Sequence, residues 1–325
     1  MILHFKNQPR ILSHASAVGK KEKEGFFGDR FDLVDPTDLF GQKTFEQAES
    51  EMVRLSLEKA MEKAGVSQNE VGCMLAGDLQ NQCTGTSYGL LPFSLPLFGL
   101  YGACSTCAES LILAAVLADA GYYRLVSASA SSHYCSAERQ FRAPLEYGGQ
   151  RPPTAQWTVT GAGSFLISDH GNGVRITEAM PGIPVDKGIS DAANMGAAMA
   201  PAAIETLSRY FEESHSKPGD FDLIVTGDLG YEGYSILHDY FAPDRLTNYT
   251  DCGLLIYDRK KQDMHAGGSG CGCSAAVLSA YILKEMEKGR WKNVLFIGTG
   301  ALMSPQSIAQ GLPIAGIAHL VRLEI

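Results

Sequence analysis

A duplicated α/β fold, with two halves packed around one shared site, is what this 325-residue chain predicts. The first observation is a repeated phrase: LAGDLQ (Leu75 to Gln80) and VTGDLG (Val225 to Gly230) both read as a strand ending in Gly-Asp-Leu. The second lies downstream of each copy. A small-residue turn carrying cysteine, GACSTCAES (Gly102 to Ser110) or GGSGCGCSA (Gly267 to Ala275), leads into a long apolar helix and another strand. Third, with 45% hydrophobic residues the chain can bury the core that two fused halves need. Self-similarity of this kind points to one structural unit written twice, with halves at 1–185 and 186–325 and the two cysteine turns facing each other.

Along the chain, Phe45, Ala48, Met52, Leu55 and Met61 recur at helical spacing over 44–64, with Thr44 as cap and Gly65 as stop. The strand VGCMLAG comes next. Leu95 to Tyr101 is a short apolar run, expected as a strand covered on both faces that delivers Cys104 to a helix start. Leu111 to Ala118 is apolar on every side, which predicts a helix buried between layers. Ser131 to Trp157 is a loop-rich insertion with three arginines, and loops of that length usually carry function. Thr160 to Ala179 reads as two strands joined by the Asp169–Gly173 turn, closing the first half, with Gly316 to Ile325 as their counterpart. In the second half a helix is expected over Met199 to Glu213, a turn at Lys217 to Gly219, and strands over Phe221 to Thr226 and Cys252 to Tyr257.

Composition narrows the function. A net charge of −9 and a pI near 5.4 argue against a nucleic-acid partner, which needs a basic face. The N-terminal MILHFKNQPR carries Lys6 and Arg10 where a signal peptide needs an apolar core. The longest uncharged stretch, Leu79 to Ala108, is broken by Pro92, Pro96 and several glycines and does not read as a membrane span, so any membrane association would be peripheral. Eight cysteines without an export signal suggest reduced thiols.

A thiol at the first turn of a helix feels the positive end of the backbone dipoles, which favours the nucleophilic thiolate, and Cys104 stands at such a position. The opposing reading is a small buried residue that only packs. Cys104 and Cys107, with Cys271 and Cys273, also allow a zinc or redox reading, but a CxC turn at a helix start is not the usual second zinc knuckle, and no metal or cofactor is expected. The repeated Asp78 and Asp228 are expected to bond nearby amides and fix their turns.

The Gly-Ala-Cys-Ser-Thr turn before a buried helix resembles the nucleophile turn of thiolases and ketoacyl synthases. That resemblance implies a five-layered αβαβα fold in which an acyl group is held on the cysteine. Acyl transfer also needs histidine or asparagine donors. Where the superfamily places them, this chain has Gly268 and the run Thr226, Gly227, Asp228. Neither His238 nor His265 matches the motif, so Cys104 is expected as a vestigial nucleophile with no catalytic residue beside it.

A narrower resemblance rests on LAGDLQNQ, FGLYGACSTCAES, SASSHYCSAERQFRAPLEYGGQRPPTA, MGAAMAPAA, LIVTGDLG, DCGLLIYD, HAGGSGCGCSA and GTGALMSP taken together. Their joint occurrence is similar to the stage V sporulation protein AD family. The resemblance implies a non-enzymatic subunit of the spore's SpoVA channel complex that binds dipicolinate or its calcium chelate, acting in uptake during sporulation and release in germination. It further implies a homodimer formed through Leu95–Tyr101, other SpoVA membrane proteins as partners, and a place in the forespore, peripheral at the inner membrane. An acyltransferase using Cys104 and a structural adaptor with an empty cleft are the competing readings.

Dipicolinate carries two carboxylates, which paired guanidinium hydrogen bonds would suit. Arg139 and Arg142, with His133 upstream and Arg151 beyond, are the densest cationic neighbourhood near the expected cleft. Backbone N–H groups at Cys104 and Ser105 and around Gly268, Ser269 and Gly270 could add donors, and Asp228 could offer an oxygen to calcium. The bland alternative for either arginine is a brace to Glu138, Glu146 or another carboxylate, or contact with a second subunit.

Overall fold

The computed structural model describes residues 1–141, 151–241 and 246–325, leaving aside the side chains of residues 140 and 141. Thr44 caps the first long helix, Phe45–Ala64, by accepting a hydrogen bond from the Gln47 N–H, and Gly65 ends it in the left-handed conformation at φ +66°. These are the start and stop the sequence predicts.

The strand order shows the duplication directly. In the first copy Leu97–Gly99, Cys73–Gly77, Leu125–Ser132, Gly161–Ser168 and Arg10–Val18 lie side by side, the first three parallel and the last two antiparallel to their neighbours. In the second, Tyr249–Asp251, Leu223–Thr226, Asn293–Leu302, Ala315–Glu324 and Val174–Met180 repeat that order and those directions. Arg10 and Ile11 pair with Arg175 and Val174, joining the two sheets along one edge.

Helices supply the other layers. Thr106–Asp119 and the helical run that begins with Cys271–Val277 pack between the sheets, while Phe45–Ala64 and Met195–Ser214 cover the outer faces. The apolar interior is divided accordingly, with one cluster between the sheets drawn from both copies and one beneath each outer helix. This is the αβαβα arrangement expected from the resemblance. Among the described residues no helix is long and apolar enough to cross a membrane.

Several expectations need correction. Leu97–Gly99 is not covered on both faces: among the described residues it pairs only with Cys73–Gly77, lies at the sheet edge, and leaves Phe98 49% exposed. The apolar helix Thr106–Asp119 is not fully enclosed, because Leu113 and Val116, three residues apart on one face, reach solvent. Gly161–Ser168 and Val174–Met180 are strands but not a hairpin, since Arg10–Val18 runs between them. Strand pairing groups Val174–Met180 with the strands of the second copy. Cys252–Leu255 is one turn of helix, and the strand is the preceding Tyr249–Asp251. The insertion, expected as loop, begins with a helix, Tyr134–Phe141.

Candidate functional site

The two cysteine turns meet between the copies. Ser105 Oγ donates to the Gly102 carbonyl at 2.6 Å and Thr106 Oγ1 to that of Ala103 at 2.7 Å, closing the turn that holds Cys104 ahead of its helix. On the facing turn Gly270 adopts φ +103°, and a Cβ there would lie 2.5 Å from Ser132 Oγ, so only glycine fits. Cys104 Sγ consequently lies 3.9 Å from Ser269 Oγ.

Behind this pair is Asp228, fully buried. One of its carboxylate oxygens accepts from Ser269 Oγ (3.1 Å) and Gly270 N–H (2.8 Å), the other from Thr299 Oγ1 (2.8 Å). Burial raises the Asp228 pKa against those hydrogen bonds. Burial also holds the Cys104 thiol well above its ordinary range, and the adjacent Asp228 carboxyl adds to the rise. The expectation of a thiolate favoured by the helix dipole is reversed, because desolvation beside a carboxyl outweighs a partial charge at one helix end.

A cavity of about 220 Å³ opens onto Cys104 and Ser269. Leu79, Tyr101, Met195 and Met303 give it apolar walls, and Glu138, Gln156 and Thr158 supply polar atoms. For scale, a cavity of about 150 Å³ is enough to take up benzene. Among the described residues, no lysine, arginine or histidine lines it.

Among the described residues, those the sequence singled out for the clamp do not come together at the cavity. Arg139 pairs with Glu46 at 3.1 Å and lies over the Phe45 ring, bracing the insertion helix on the outer one. Arg142 lies outside the described residues. His133 is buried, accepts the Cys135 N–H at Nδ1 (3.2 Å) and donates from Nε2 to the Asp38 carbonyl (2.8 Å). Burial lowers its pKa, so it is a neutral structural ring. Arg151 donates to the Asp263 carbonyl at 2.7 Å and stacks over Trp157. Ser105 is bonded within its own turn, the Gly270 N–H serves Asp228, and the Gly268 carbonyl accepts from Gln156 at 2.8 Å. Asp228 itself does not line the cavity. Of the described candidate ligand-binding residues, Cys104 and Ser269 alone do.

Asp78 fixes its turn as expected, accepting from the Gln80 and Thr86 N–H groups at 2.8 and 2.7 Å. Cys271 donates to the Ser131 carbonyl at 2.9 Å, and all eight cysteines are free thiols. Among the described residues no three His, Cys, Asp or Glu side chains converge as a metal-binding group. Gln156 and Glu138 are lining residues that sequence reasoning misses. Both fall inside the insertion flagged as functional, but nothing in a Gln-Trp or Ala-Glu-Arg sequence says which side chain turns inward.

Comparison with known proteins places this geometry. The chain is 11% identical to 3-oxoacyl-[acyl-carrier-protein] synthase III from Aquifex aeolicus, over 98% of this chain and 100% of that one, with a TM-score of 0.59. It is 14% identical to cerulenin-bound OleA from Xanthomonas campestris, over 99% of this chain and 100% of that one, with a TM-score of 0.63. These likenesses show a thiolase-like fold. Stage V sporulation protein AD of Bacillus subtilis (strain 168) is 40% identical over 323 residues, 98% of this chain and 95% of that protein. The family described as stage V sporulation protein AD (SpoVAD) matches residues 1–324. The chain belongs to the SpoVAD family of sporulation proteins.

Proposed function

We propose that this protein is a non-catalytic binding subunit for dipicolinate or its calcium chelate within the spore channel complex, serving uptake during sporulation and release in germination. In this reading it is a homodimer held peripherally at the forespore inner membrane by the other SpoVA proteins. The observation that carries the proposal is the cavity on Cys104. At about 220 Å³ it has room for an aromatic ring, burial beside Asp228 raises the pKa of its thiol, and no described histidine lines it. A nucleophile with a raised pKa and no described histidine beside it is poorly suited to acyl transfer, whereas a small, mostly apolar chamber suits an aromatic ligand. The exposed edge Leu97–Gly99 supports dimerisation, since an edge strand with an exposed Phe98 can continue its sheet across a twofold axis.

Calorimetric titration of the purified protein with dipicolinate, with benzoate as control, tests this. Saturable heat selective for dipicolinate, near one ligand per chain or per dimer, is the expected result. Heat no greater than the control would sink direct binding by the isolated subunit and leave the adaptor reading. Transfer of an acyl group from a thioester to Cys104 and onward would establish the condensing-enzyme reading instead.

A further inference from the structure

Two buried carboxyls share one enclosure against the insertion helix. Glu49, on Phe45–Ala64, accepts hydrogen bonds from Gln80 Nε2 (2.8 Å) and Ser136 Oγ (2.7 Å) at one oxygen and from Ser131 Oγ (3.2 Å) at the other. Gln80 also reaches Asp78, giving its backbone N–H to Oδ1 at 2.8 Å, and the Thr86 N–H donates to Oδ2 at 2.7 Å. A Cβ on Gly85 would lie 3.2 Å from Glu49 Cγ and 3.3 Å from Asp78 Oδ2, so the two side chains converge on one point. Both residues are fully buried, and each of these donors is neutral. Two carboxyls so placed cannot both ionise cheaply, and the pair holds a proton in common. Burial, and after it the Asp78 carboxyl, push Glu49 up to about 8, and burial raises Asp78 as well.

The segments that cover Glu49 differ in how they are held. Ser131 lies on a central strand paired on both sides, and Gln80 belongs to the turn that carries Asp78. Ser136 lies on the short helix Tyr134–Phe141, outside the sheet, and the next two residues, Ala137 and Glu138, line the cavity. Lifting that helix is the way to bring water to Glu49 that leaves the sheet whole. The other titratable groups on the elements packed here are accounted for. Burial raises the Cys83, Cys135 and Cys271 thiols and lowers His133, which keeps all four neutral near pH 7. Arg139 pairs with Glu46, one turn back on the Glu49 helix, and Glu138 accepts from Thr158 Oγ1 at 3.3 Å. Tyr88 is exposed, His14 is turned to Ser279 and Glu287, and the strands Leu125–Ser132 and Gly161–Ser168 carry no titratable side chain. We propose that Glu49 and Asp78 are a proton-operated latch on the insertion helix. With one proton held between them the helix stays seated as a wall of the cavity. When that proton passes to solvent, the second buried charge favours a state in which Ser136 leaves Glu49 and water reaches the carboxylates. Resting on the dipicolinate reading, that open state is the route by which the ligand leaves.

Hydrogen exchange of the unmodified, ligand-free protein, corrected for intrinsic amide rates, reads the latch directly. The closed form keeps its proton up to about 8, while a solvated glutamate loses it near 4.5, so opening gains with pH between those values and no further above them. Exchange of the Tyr134–Phe141 amides should therefore quicken about tenfold or more from pH 6 to 8 and level off beyond, while Phe45–Ala64 stays protected. Glu49→Gln should remove this pH dependence, and Ser136→Ala should leave the insertion helix exchanging fast at both pH values. Equal protection of that helix at pH 6 and 8, or a pH dependence unchanged in Glu49→Gln, overturns the latch whether or not any ligand binds. The second measurement is the dissociation rate of dipicolinate by stopped flow, which should rise over the same interval. Release that is independent of pH while the helix opens overturns its part in ligand passage. Failure of dipicolinate to bind under any condition removes the binding reading and the exit route with it, and the exchange profile then supports or overturns the latch by itself.

Discussion

Cys104 and Asp228 make a pair whose chemistry is set by burial more than by residue type. A cysteine ahead of a helix would ordinarily gain from the backbone dipole, worth about 0.3–1 kcal/mol at an exposed end. Here both groups are enclosed and both are driven toward their neutral forms. Native protein treated with iodoacetamide at pH 8 should therefore leave Cys104 unmodified, while Cys135, the one cysteine that is not buried, reacts first. Peptide mapping by mass spectrometry reads this out, and rapid stoichiometric labelling of Cys104 would mean a thiolate and revive the acyl-transfer reading. The position of Cys104 was legible in the sequence because turn and helix are local features. The fate of His133 and Arg139 was not, because their partners Asp38 and Glu46 come from segments about 95 residues away. Charge near a cleft in sequence says nothing of which carboxylate or carbonyl claims it in space.

At the level of elements, the small residues of the second cysteine turn allow the two copies to touch backbone to backbone. A Cβ on Gly272 would come within 2.1 Å of the Gly161 carbonyl oxygen and 2.7 Å of the Ser132 nitrogen, neither of which can rotate away. Gly272→Ala should cost about 1–3 kcal/mol, as overpacking commonly does, read as a lower urea midpoint at unchanged m-value. The sheet edge gives an independent prediction. Phe98→Lys places a charge on an exposed strand that, among the described residues, pairs on one side only, so under the proposed dimerisation it should shift the protein to monomers by light scattering with little change in monomer fold. Elements with strong local signals, such as Phe45–Ala64 with its cap and stop, were readable from sequence. Leu97–Gly99 was misjudged because an apolar run looks the same whether a strand is covered on both faces or lies open at the sheet edge. Cys252–Leu255 was misjudged because a short apolar run fits a strand and a helical turn equally.

Across the whole molecule, the fold keeps several acids in its interior, and they set how stability depends on pH. Burial pushes Glu22 and Asp251 up to about 7, and burial with the neighbouring Asp78 pushes Glu49 up to about 8. Glu49 takes hydrogen bonds from Gln80, Ser131 and Ser136, and so ties the insertion helix to the first copy. A carboxyl with a raised folded pKa keeps its proton after the unfolded chain has lost it. Its contribution is fully present below about 4.5 and declines as pH rises through the folded values. Two histidines act oppositely. His319, lowered to about 4, and His133, also lowered by burial, reduce stability as pH falls below 6.5. The two effects oppose each other on the acid side, but between pH 6.5 and 8 the carboxyls are the members of this set that still change. Unfolding free energy should accordingly fall across that interval, on the order of 1 kcal/mol per pH unit for each retained proton, and the melting temperature with it. Glu49→Gln keeps an acceptor for Ser131 and Ser136 but has no proton to lose, so it should flatten the slope in the upper part of the interval. A melting temperature that rises from pH 6.5 to 8, or a slope unchanged in the variant, would show that these acids are ionised in the folded protein.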